Sequence, residues 1–497
     1  MSTLTARLFG KGPEHRRVIV PSPSAPMRVA RELLRVRHMH PDGALLRSHR
    51  GAFYTWAGTC WKEIATRDIR SFVYDFLEDA EFISDAGALM PFAPTRKKVD
   101  DVVDALHAIA LLRTADDAPL WTEPGAEDVD PSQIVSTLTG LLHVPTRTLL
   151  PHTPRFFNYH ALPFPFLADT APPERWLQFL RQLWPDDESS IRTIQEMMGY
   201  ILGGDTRLQK IFLLVGPRRG GKGTIGRVLT ALLGQHNVAA PPVASLSAHF
   251  GLQPLIGRPL AMISDARLGS SDNRIMIERL LSISGEDSLT IDRKFLPPWT
   301  GKLPTRFMIL TNELPKLSDA SGALVSRFVP LVLTESFLGR EDPRLTDALV
   351  AEAPSIFNWA LEGLDRLNIR GHFQMSDGGR EALQQLEDLS SPMLAFVREV
   401  CTVGPYEVPV DALWHAWKAE CASDNRHPGT KATFGRDLRA AVPSVRRVKP
   451  RLGSDRRVYT YTGITFSRSL EEHDPSGLGP LGPGLRTGPD GPRSGAL

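Results

Sequence analysis

The segment IFLLVGPRRGGKGT, residues 211–224, constrains the fold of this chain more than any other stretch. Its apolar residues 212–215 predict a buried strand, and IGRVLTALLG after the glycines predicts a helix. A GxxxxGK pattern in that context is typical of a phosphate-binding loop, because glycines let backbone N–H groups face an anion. We therefore predict a nucleotide-binding loop made of Gly216, Pro217, Arg218, Arg219, Gly220, Gly221, Lys222, Gly223 and Thr224.

This loop departs from the usual pattern at one position. The Ser or Thr expected directly after Lys222 is Gly223, and the hydroxyl comes one residue later, at Thr224. The resulting GKGT resembles the loop of nucleoside monophosphate kinases. We expect Lys222 to contact phosphate and Thr224 to be a magnesium ligand. The alternative is a chance glycine-rich turn, which would require neither the strand nor the helix.

Composition limits the classes of protein to consider. At 497 residues the chain has room for about three domains. No apolar run approaches the ~18 residues of a membrane helix, and the N-terminus lacks the apolar core of a signal peptide, so we expect a cytoplasmic protein with no membrane partner. Net charge is only +2 and indicates no partner by itself. Cys60, Cys401 and Cys421 form no CxxC pair, which argues against a zinc ribbon or disulfide scaffold and predicts buried thiols.

Polar residues stand at the ends of three further apolar strands. Asp265 closes the strand in RPLAMISDAR, where an acid would hold magnesium beside a nucleotide. Asn312 follows the strand RFMIL, where its amide would bond the γ-phosphate or position the attacking water. Arg327 heads the strand in SRFVPLVL and is placed to enter a neighbouring subunit's site as an arginine finger. The alternatives are that Asp265 is an ordinary surface residue, that Asn312 belongs to a turn, and that Arg327 forms a plain salt bridge.

The residue that activates the water is left open by the sequence. The second acid often found after an acid such as Asp265 is absent, since Ala266 and Arg267 follow it. Asp265 then serves both roles, or Glu286 or Asp287 supplies the base.

The segments GPRRGGKGT, LAMISDAR, ILTNELP and GALVSRF together resemble the superfamily-3 helicases. Within that superfamily the chain is most similar to the primase-helicases of phages, plasmids and poxviruses, especially helicase or primase proteins of actinobacterial phages. The resemblance spans roughly residues 30–465. It implies an AAA+ P-loop ATPase that forms a ring, with ATP and Mg²⁺ as cofactors. It assigns Lys222 to phosphate, Asp265 to the Walker B position, Asn312 to sensor 1 and Arg327 to the finger.

We expect a multidomain α/β fold with an AAA+ core, a mainly helical N-terminal domain and a C-terminal winged helix. The N-terminal part shows no paired-acid strand motif and no zinc ligands, so primase activity is not expected. The predicted parts are a disordered arm (1–26), a mainly helical adaptor (27–150), a proline-rich connector (151–174), the ATPase domain with a helical lid (175–385), the winged helix (386–466) and a disordered Gly/Pro-rich tail (467–497).

Two regions predict contact with DNA. The stretch SLTIDRKFLPPWTGKLPTRF predicts a hairpin, which in the family lines the ring's channel, and Arg293, Lys294, Phe295 and Lys302 are its candidates, with Arg306 as a helper. Residues 426–457 hold ten Lys or Arg and two Asp, which is typical of a nucleic-acid surface. The candidates there are Arg436, Arg439, Arg446, Arg447, Lys449, Arg451, Arg456 and Arg457. An ordinary solvated hairpin and a protein-docking winged helix are the alternatives.

The combined expectation is an ATP-dependent DNA helicase that works as a homo-oligomeric ring, most simply a hexamer. Its partners would be single-stranded DNA, forked or origin duplex DNA, and a separate primase or polymerase. The alternatives are an origin-binding initiator without unwinding activity and, because of GKGT, a nucleotide kinase.

Overall fold

The structure is a computed structural model. It describes residues 18–112, 117–264, 274–294, 296–315, 317, 323–449, 451–452, 456–457 and 459–467. The chain forms two compact units, with the boundary between Ser390 and Ser391. This boundary lies close to the one expected after residue 385, but the N-terminal region and the predicted ATPase region belong to the same unit. No helix of the described residues is long and apolar enough to cross a membrane.

The N-terminal region is less helical than expected. Three helices, α1 (Pro26–Arg37), α2 (Thr66–Glu78) and α3 (Arg96–Ile109), bury apolar faces in one core. Short antiparallel strands and the segments that connect them make up the rest. The strands are β1 (Met39–His40), β2 (Gly43–Ala44), β3 (Leu46–His49), β4 (Ala52–Trp56), β5 (Trp61–Ile64), β6 (Glu81–Ile83), β7 (Leu89–Pro91), β8 (Leu120–Trp121), β9 (Ile134–Ser136), β10 (Leu141–His143), β11 (Thr148–Leu150) and β12 (Phe156–Phe157).

The proline-rich segment 151–174 is packed into the protein and is not a free connector. Phe157, Leu162, Phe164 and Phe166 are buried. The ring of Phe164 packs against Phe357 at 5.6 Å between centroids. Apolar residues alternate with the prolines in this segment. Burial of the apolar side chains holds the segment against the rest of the unit, although it forms little regular secondary structure.

A five-stranded parallel sheet forms the centre of the first unit. In spatial order its strands are β14 (Val238–Ala239), β15 (Leu260–Ser264), β18 (Arg306–Thr311), β13 (Ile211–Val215) and β19 (Phe328–Val332). Side chains of β13 alternate between two cores: Phe212 and Leu214 face one, and Ile211 and Leu213 face the other. Burial on both faces explains why these strands are uniformly apolar in sequence.

Helices cover both faces of this sheet, and Ile291 and Trp299 of a hairpin belong to the core on one face. The helices are α4 (Glu174–Leu183), α5 (Glu188–Leu202), α6 (Lys222–Leu233), α7 (Val243–Leu246), α8 (Arg274–Ser284), α9 (Leu345–Val350), α10 (Ala353–Arg370) and α11 (Asp377–Ser390), and the hairpin strands are β16 (Leu289–Arg293) and β17 (Leu296–Gly301).

The second unit contains three helices and small antiparallel sheets. The helices are α12 (Pro392–Val400), α13 (Val410–Ser423) and α14 (Lys431–Ala441), and the strands are β20 (Cys401–Pro409), β21 (Arg446–Val448), β22 (Arg451–Leu452), β23 (Arg456–Arg457) and β24 (Thr460–Phe466). Strand β24 lies between β20 and β21 in one three-stranded sheet. Thr430 caps α14, since its Oγ1 accepts a hydrogen bond from the Thr433 N–H at 3.1 Å. All three cysteines of the chain are free and buried, as expected.

Candidate functional site

The glycine-rich loop connects the end of β13 to the start of α6, and its backbone requires glycine at two positions. A Cβ on Gly216 would lie 2.4 Å from the carbonyl oxygen of Leu333. Gly221 has φ +88°, in the left-handed region that glycine adopts without strain. The loop therefore packs closely against the chain that follows β19.

The side chain of Lys222 lies inside this loop and reaches the next strand. Its Nζ donates to the carbonyl oxygens of Gly216 at 2.6 Å and Pro217 at 2.7 Å. It also donates to Oδ1 of Asn312 at 3.2 Å, although the two residues are ninety positions apart. The contact arises because β18 lies beside β13 in parallel, so that the carboxyl ends of both strands meet.

Thr224 stands in the first turn of α6 and has a partner that the sequence analysis missed. Its Oγ1 accepts a hydrogen bond from Arg227 at 3.0 Å, and Arg227 Nε also donates to Thr346 Oγ1 at 3.2 Å. Arg227 thus links the loop to the start of α9. Arg227 follows Thr224 by three positions in a predicted helix, and this spacing is the sequence feature that could have indicated their contact. A hydroxyl retains a second lone pair, so Thr224 fits Mg²⁺, which prefers oxygen ligands.

A cleft of about 1920 Å³ opens above the loop. Cationic side chains outnumber carboxylates among its described lining residues, and such an excess favours a polyanion such as a nucleoside triphosphate. The cations are Arg175, Arg218, Arg219, Lys222, Arg227 and Arg340, and the carboxylates are Glu313, Glu341 and Asp342. Arg175, Arg227 and Arg340 come from outside the motifs and were not expected.

The chain after β19 lies along the glycine-rich loop. The Phe337 N–H donates to the Arg219 carbonyl oxygen at 3.1 Å, and Ser336 Oγ donates to that of Arg218 at 3.0 Å. The guanidinium of Arg219 pairs with Glu341 at 3.4 Å. These contacts hold both loop arginines by their main chains and position one side of the cleft.

Arg327 lies at the opposite end of the sheet from the cleft. It precedes Phe328, which pairs with Ile211 at the start of β13, whereas the loop begins after Val215 at its end. Four residue steps separate these ends by about 13 Å. Arg327 Nη1 donates to the Leu281 carbonyl oxygen at 2.6 Å and to Ser284 Oγ at 2.7 Å. It is therefore remote from its own subunit's cleft.

Two of the three candidate acids, Glu286 and Asp287, are described by the structure, and neither lines the cleft. Asp265 lies outside the described residues. Glu286 is hydrogen-bonded by Thr206 and has a left-handed backbone, φ +62°. Glu286 and its neighbour Asp287 follow α8 at the Arg327 end of the sheet. Neither is among the described residues that line the cleft, so the expectation that one of them reaches the nucleotide is not met.

Two of the arginines expected to contact DNA are buried in the protein. Arg293 is 6% exposed, and its guanidinium donates to the carbonyl oxygens of Arg50 at 2.8 Å and Pro297 at 2.9 Å. Arg306 is 3% exposed and donates to three backbone carbonyls, including that of Asp205 at 2.8 Å. Burial lowers the pKa of Arg306 from its usual value. These two residues hold the fold and are unavailable to phosphates.

The hairpin itself packs against the N-terminal region. Arg50 lies over the ring of Trp299 at 4.9 Å and pairs with Asp117 at 2.7 Å. Lys294 and Lys302 remain exposed on the hairpin and after it. Phe295 lies outside the described residues.

The cations of the second unit are mostly on the surface. Arg436, Arg439, Arg446, Arg447 and Lys449 are exposed, and Arg436 pairs with the adjacent Asp437 at 2.9 Å. Arg451, Arg456 and Arg457 belong to β22 and β23, but their side chains lie outside the described residues. Exposed cations of this kind can pair with the phosphates of a nucleic acid.

Comparison with known proteins gives matches to separate parts of the chain. Residues 34–185 match the family described as D5 N terminal like, and residues 214–327 match a family of unknown function, DUF5906. The chain is similar to the solved "A form apo structure of NrS-1 C terminal region-CTR", with a TM-score of 0.50 and 13% identity over 84% of this chain and 95% of that one. A second structure of that region, CTR(305-718), gives a TM-score of 0.50 and 12% identity over 88% and 99%. At this identity the likeness shows a shared fold alone.

Proposed function

We propose that this chain is an ATP-dependent DNA helicase of the phage primase-helicase type. The D5 N-terminal-like match and the fold shared with the NrS-1 C-terminal region support a replication protein of that type. The contact between Lys222 and Asn312 at the mouth of a cationic cleft carries the proposal, because it pairs a phosphate-binding cation with an amide able to orient water. The five-stranded parallel sheet supports an AAA+ core.

In this proposal the loop 216–224 binds the phosphates of ATP. Lys222 exchanges its carbonyl partners for phosphate oxygens. Thr224 and Asp265 would hold Mg²⁺, which would supply positive charge that offsets the charge of the phosphates. Asn312 Oδ1 accepts a hydrogen bond from the attacking water and so positions it. That water bonds to the γ-phosphorus as the bridging bond breaks, which leaves ADP, phosphate and a proton.

The proposal also requires a neighbouring subunit. Arg327 is about 13 Å or more from its own loop along the strand direction, so it acts only on another copy's nucleotide. We propose a homo-oligomeric ring, with a hexamer as the simplest case, in a bacterial host's cytoplasm. A separate primase would provide primers.

DNA contact is proposed for two surfaces. Lys294 and Lys302, with Phe295, would track one strand. The second unit would act as a winged helix on single-stranded, forked or origin DNA, through Arg436, Arg439, Arg446, Arg447, Lys449, Arg451, Arg456 and Arg457.

The proposal is tested by ATPase rates with and without single-stranded DNA for wild type, Lys222→Ala, Arg327→Ala and a mixture of these two variants. We expect DNA stimulation in wild type, loss in each variant and partial recovery on mixing, because mixed rings contain sites with an intact loop beside an intact finger. Arg207→Ala is the matched control: Arg207 is an exposed arginine near the same end of the sheet, and its loss should change nothing.

Two results would favour other functions. Phosphate transfer to nucleoside monophosphates, with no stimulation by DNA, would support the nucleotide kinase that GKGT resembles. DNA binding that survives Lys222→Ala, in a wild-type protein without ATPase activity, would support an origin-binding protein.

A further inference from the structure

We propose that Tyr459 is a base-stacking site for single-stranded DNA, with Arg447 and Lys449 holding the adjacent phosphate. This inference rests on the proposed DNA function and adds an aromatic residue to it. The side chain of Tyr459 is 44% exposed at the start of β24. The Arg447 Cζ lies 3.9 Å from the centre of its ring, and the Lys449 Nζ lies 4.7 Å from it.

The strand register explains how these three side chains come together. Arg447 pairs with Tyr461, and Val448 pairs with Thr460. One further step places Lys449 opposite Tyr459. Because side chains alternate between the faces of a sheet, both cations and both tyrosines lie on one face.

Helix α14 covers only part of this face. Tyr461 is 2% exposed, and its hydroxyl lies 2.6 Å from the position of a Cβ on Gly435 in α14. Burial raises the pKa of Tyr461, and the nearby charges of Arg439 and Arg447 oppose that rise. A guanidinium from the helix and one from β21 therefore stand near the same hydroxyl. Tyr459, two residues earlier, lies beyond this cover with its ring open to solvent.

The positive charges beside Tyr459 favour the binding of an anion from outside the chain. Among the described residues, no carboxylate pairs with Arg439, Arg447 or Lys449. Arg447 and Lys449 both lie beside the exposed ring of Tyr459, and their like charges repel each other. A nucleotide satisfies both features, because its base stacks on the ring and its phosphate pairs with the cations. The bound DNA must be single-stranded, since in duplex DNA the face of each base is covered by the neighbouring bases.

The test measures the Kd of the full chain for a labelled oligothymidylate and for a duplex of equal length, by fluorescence anisotropy. Tyr459→Ala should raise the single-strand Kd about 5- to 150-fold, the value of one stacked base. Tyr459→Leu, which keeps apolar bulk without a π-face, should give the same loss, and Tyr459→Phe should bind as wild type does. The duplex Kd should change less than about twofold.

Tyr406→Ala is the matched control. Tyr406 is also exposed, at 47%, in the same unit, and belongs to β20. Its removal should leave both affinities unchanged. The fold is kept in the Tyr459 variants, because this residue bonds Val410 through its backbone carbonyl. The melting temperature of each variant checks this point.

Three outcomes would overturn the inference. Unchanged single-strand affinity in Tyr459→Ala and Tyr459→Leu refutes the stacking role, as does an equal loss for duplex, and both leave the DNA function intact. If wild type binds no DNA but captures an acidic peptide, the proposed function fails together with the stacking site.

Discussion

Replacing Asn312 by Asp tests the centre of the proposed site with almost no change in shape. Asn312 Oδ1 accepts a hydrogen bond from Lys222 Nζ at 3.2 Å. In Asn312→Asp the same position carries a negative charge beside the cation that should bind phosphate. We expect the new ion pair to compete with ATP for Lys222 and to repel the γ-phosphate.

The size of the effect follows from that distance. Two unit charges 3.2 Å apart attract by about 5 kcal/mol at an effective dielectric constant of 20. Asn312 is exposed and Lys222 is half-buried, so screening by solvent reduces this to about 1–3 kcal/mol. The Kd for ATP should therefore rise about 5- to 150-fold. ADP should lose less affinity, because it lacks the γ-phosphate.

The assay is displacement of a fluorescent ATP analogue from wild type, Asn312→Asp and Glu313→Gln. Glu313 lines the same cleft, so its neutralisation removes a negative charge one residue away. That control should bind ATP as tightly as wild type or more tightly. ATP affinity that is unchanged in Asn312→Asp, or weakened equally in Glu313→Gln, would refute the placement of the γ-phosphate beside Asn312.

Three further predictions concern residues outside the cleft. Arg293→Ala should lower the free energy of unfolding by about 2–4 kcal/mol, since two backbone carbonyls lose a charged donor, with little change in DNA affinity. Lys302→Ala should weaken DNA binding with little change in the free energy of unfolding. Urea titration measures the free energy of unfolding, and anisotropy measures DNA affinity. Burial lowers the pKa of His38 to about 4, and the unfolded chain takes up a proton near pH 6.5. The stability that depends on neutral His38 is therefore fully present above pH 6.5 and is lost as the pH falls toward 4. Unfolding free energy should fall by about 2 kcal/mol from pH 7 to pH 5, less so in His38→Leu. Gly199→Ala should lower the melting temperature, because its Cβ would lie 2.2 Å from the Ala360 carbonyl oxygen; a normal melting temperature would contradict this helix packing.

The parts of the fold that the sequence predicts are those with local signals. The strand and helix around residues 211–233 follow from an apolar run, glycines and a helical period. The meeting of Lys222 and Asn312 was predictable as well, because parallel strands bring their carboxyl ends to one edge.

Other features depend on contacts between distant segments. Arg293 was expected to be exposed because it ends a hairpin strand, but its partner Arg50 lies 243 residues earlier in the chain. The N-terminal region was expected to be mainly helical, but strands of two to five residues, which pair with one another, make up much of it. Arg227 has no motif of its own, and its link to Thr346 depends on where α9 packs.

The contacts between the hairpin and the N-terminal region limit how the hairpin could move in the proposed function. A free hairpin could swing by itself, but Arg293 ties this one to the carbonyl of Arg50, and Arg50 lies over Trp299 of β17. Breaking the contact with Arg50 would remove one of the two backbone partners of a buried guanidinium, at a cost of about 1–3 kcal/mol. In the proposed function, a movement of Lys294 and Lys302 along DNA would therefore carry the turn between β3 and β4 with it, so that the N-terminal region would move with the hairpin.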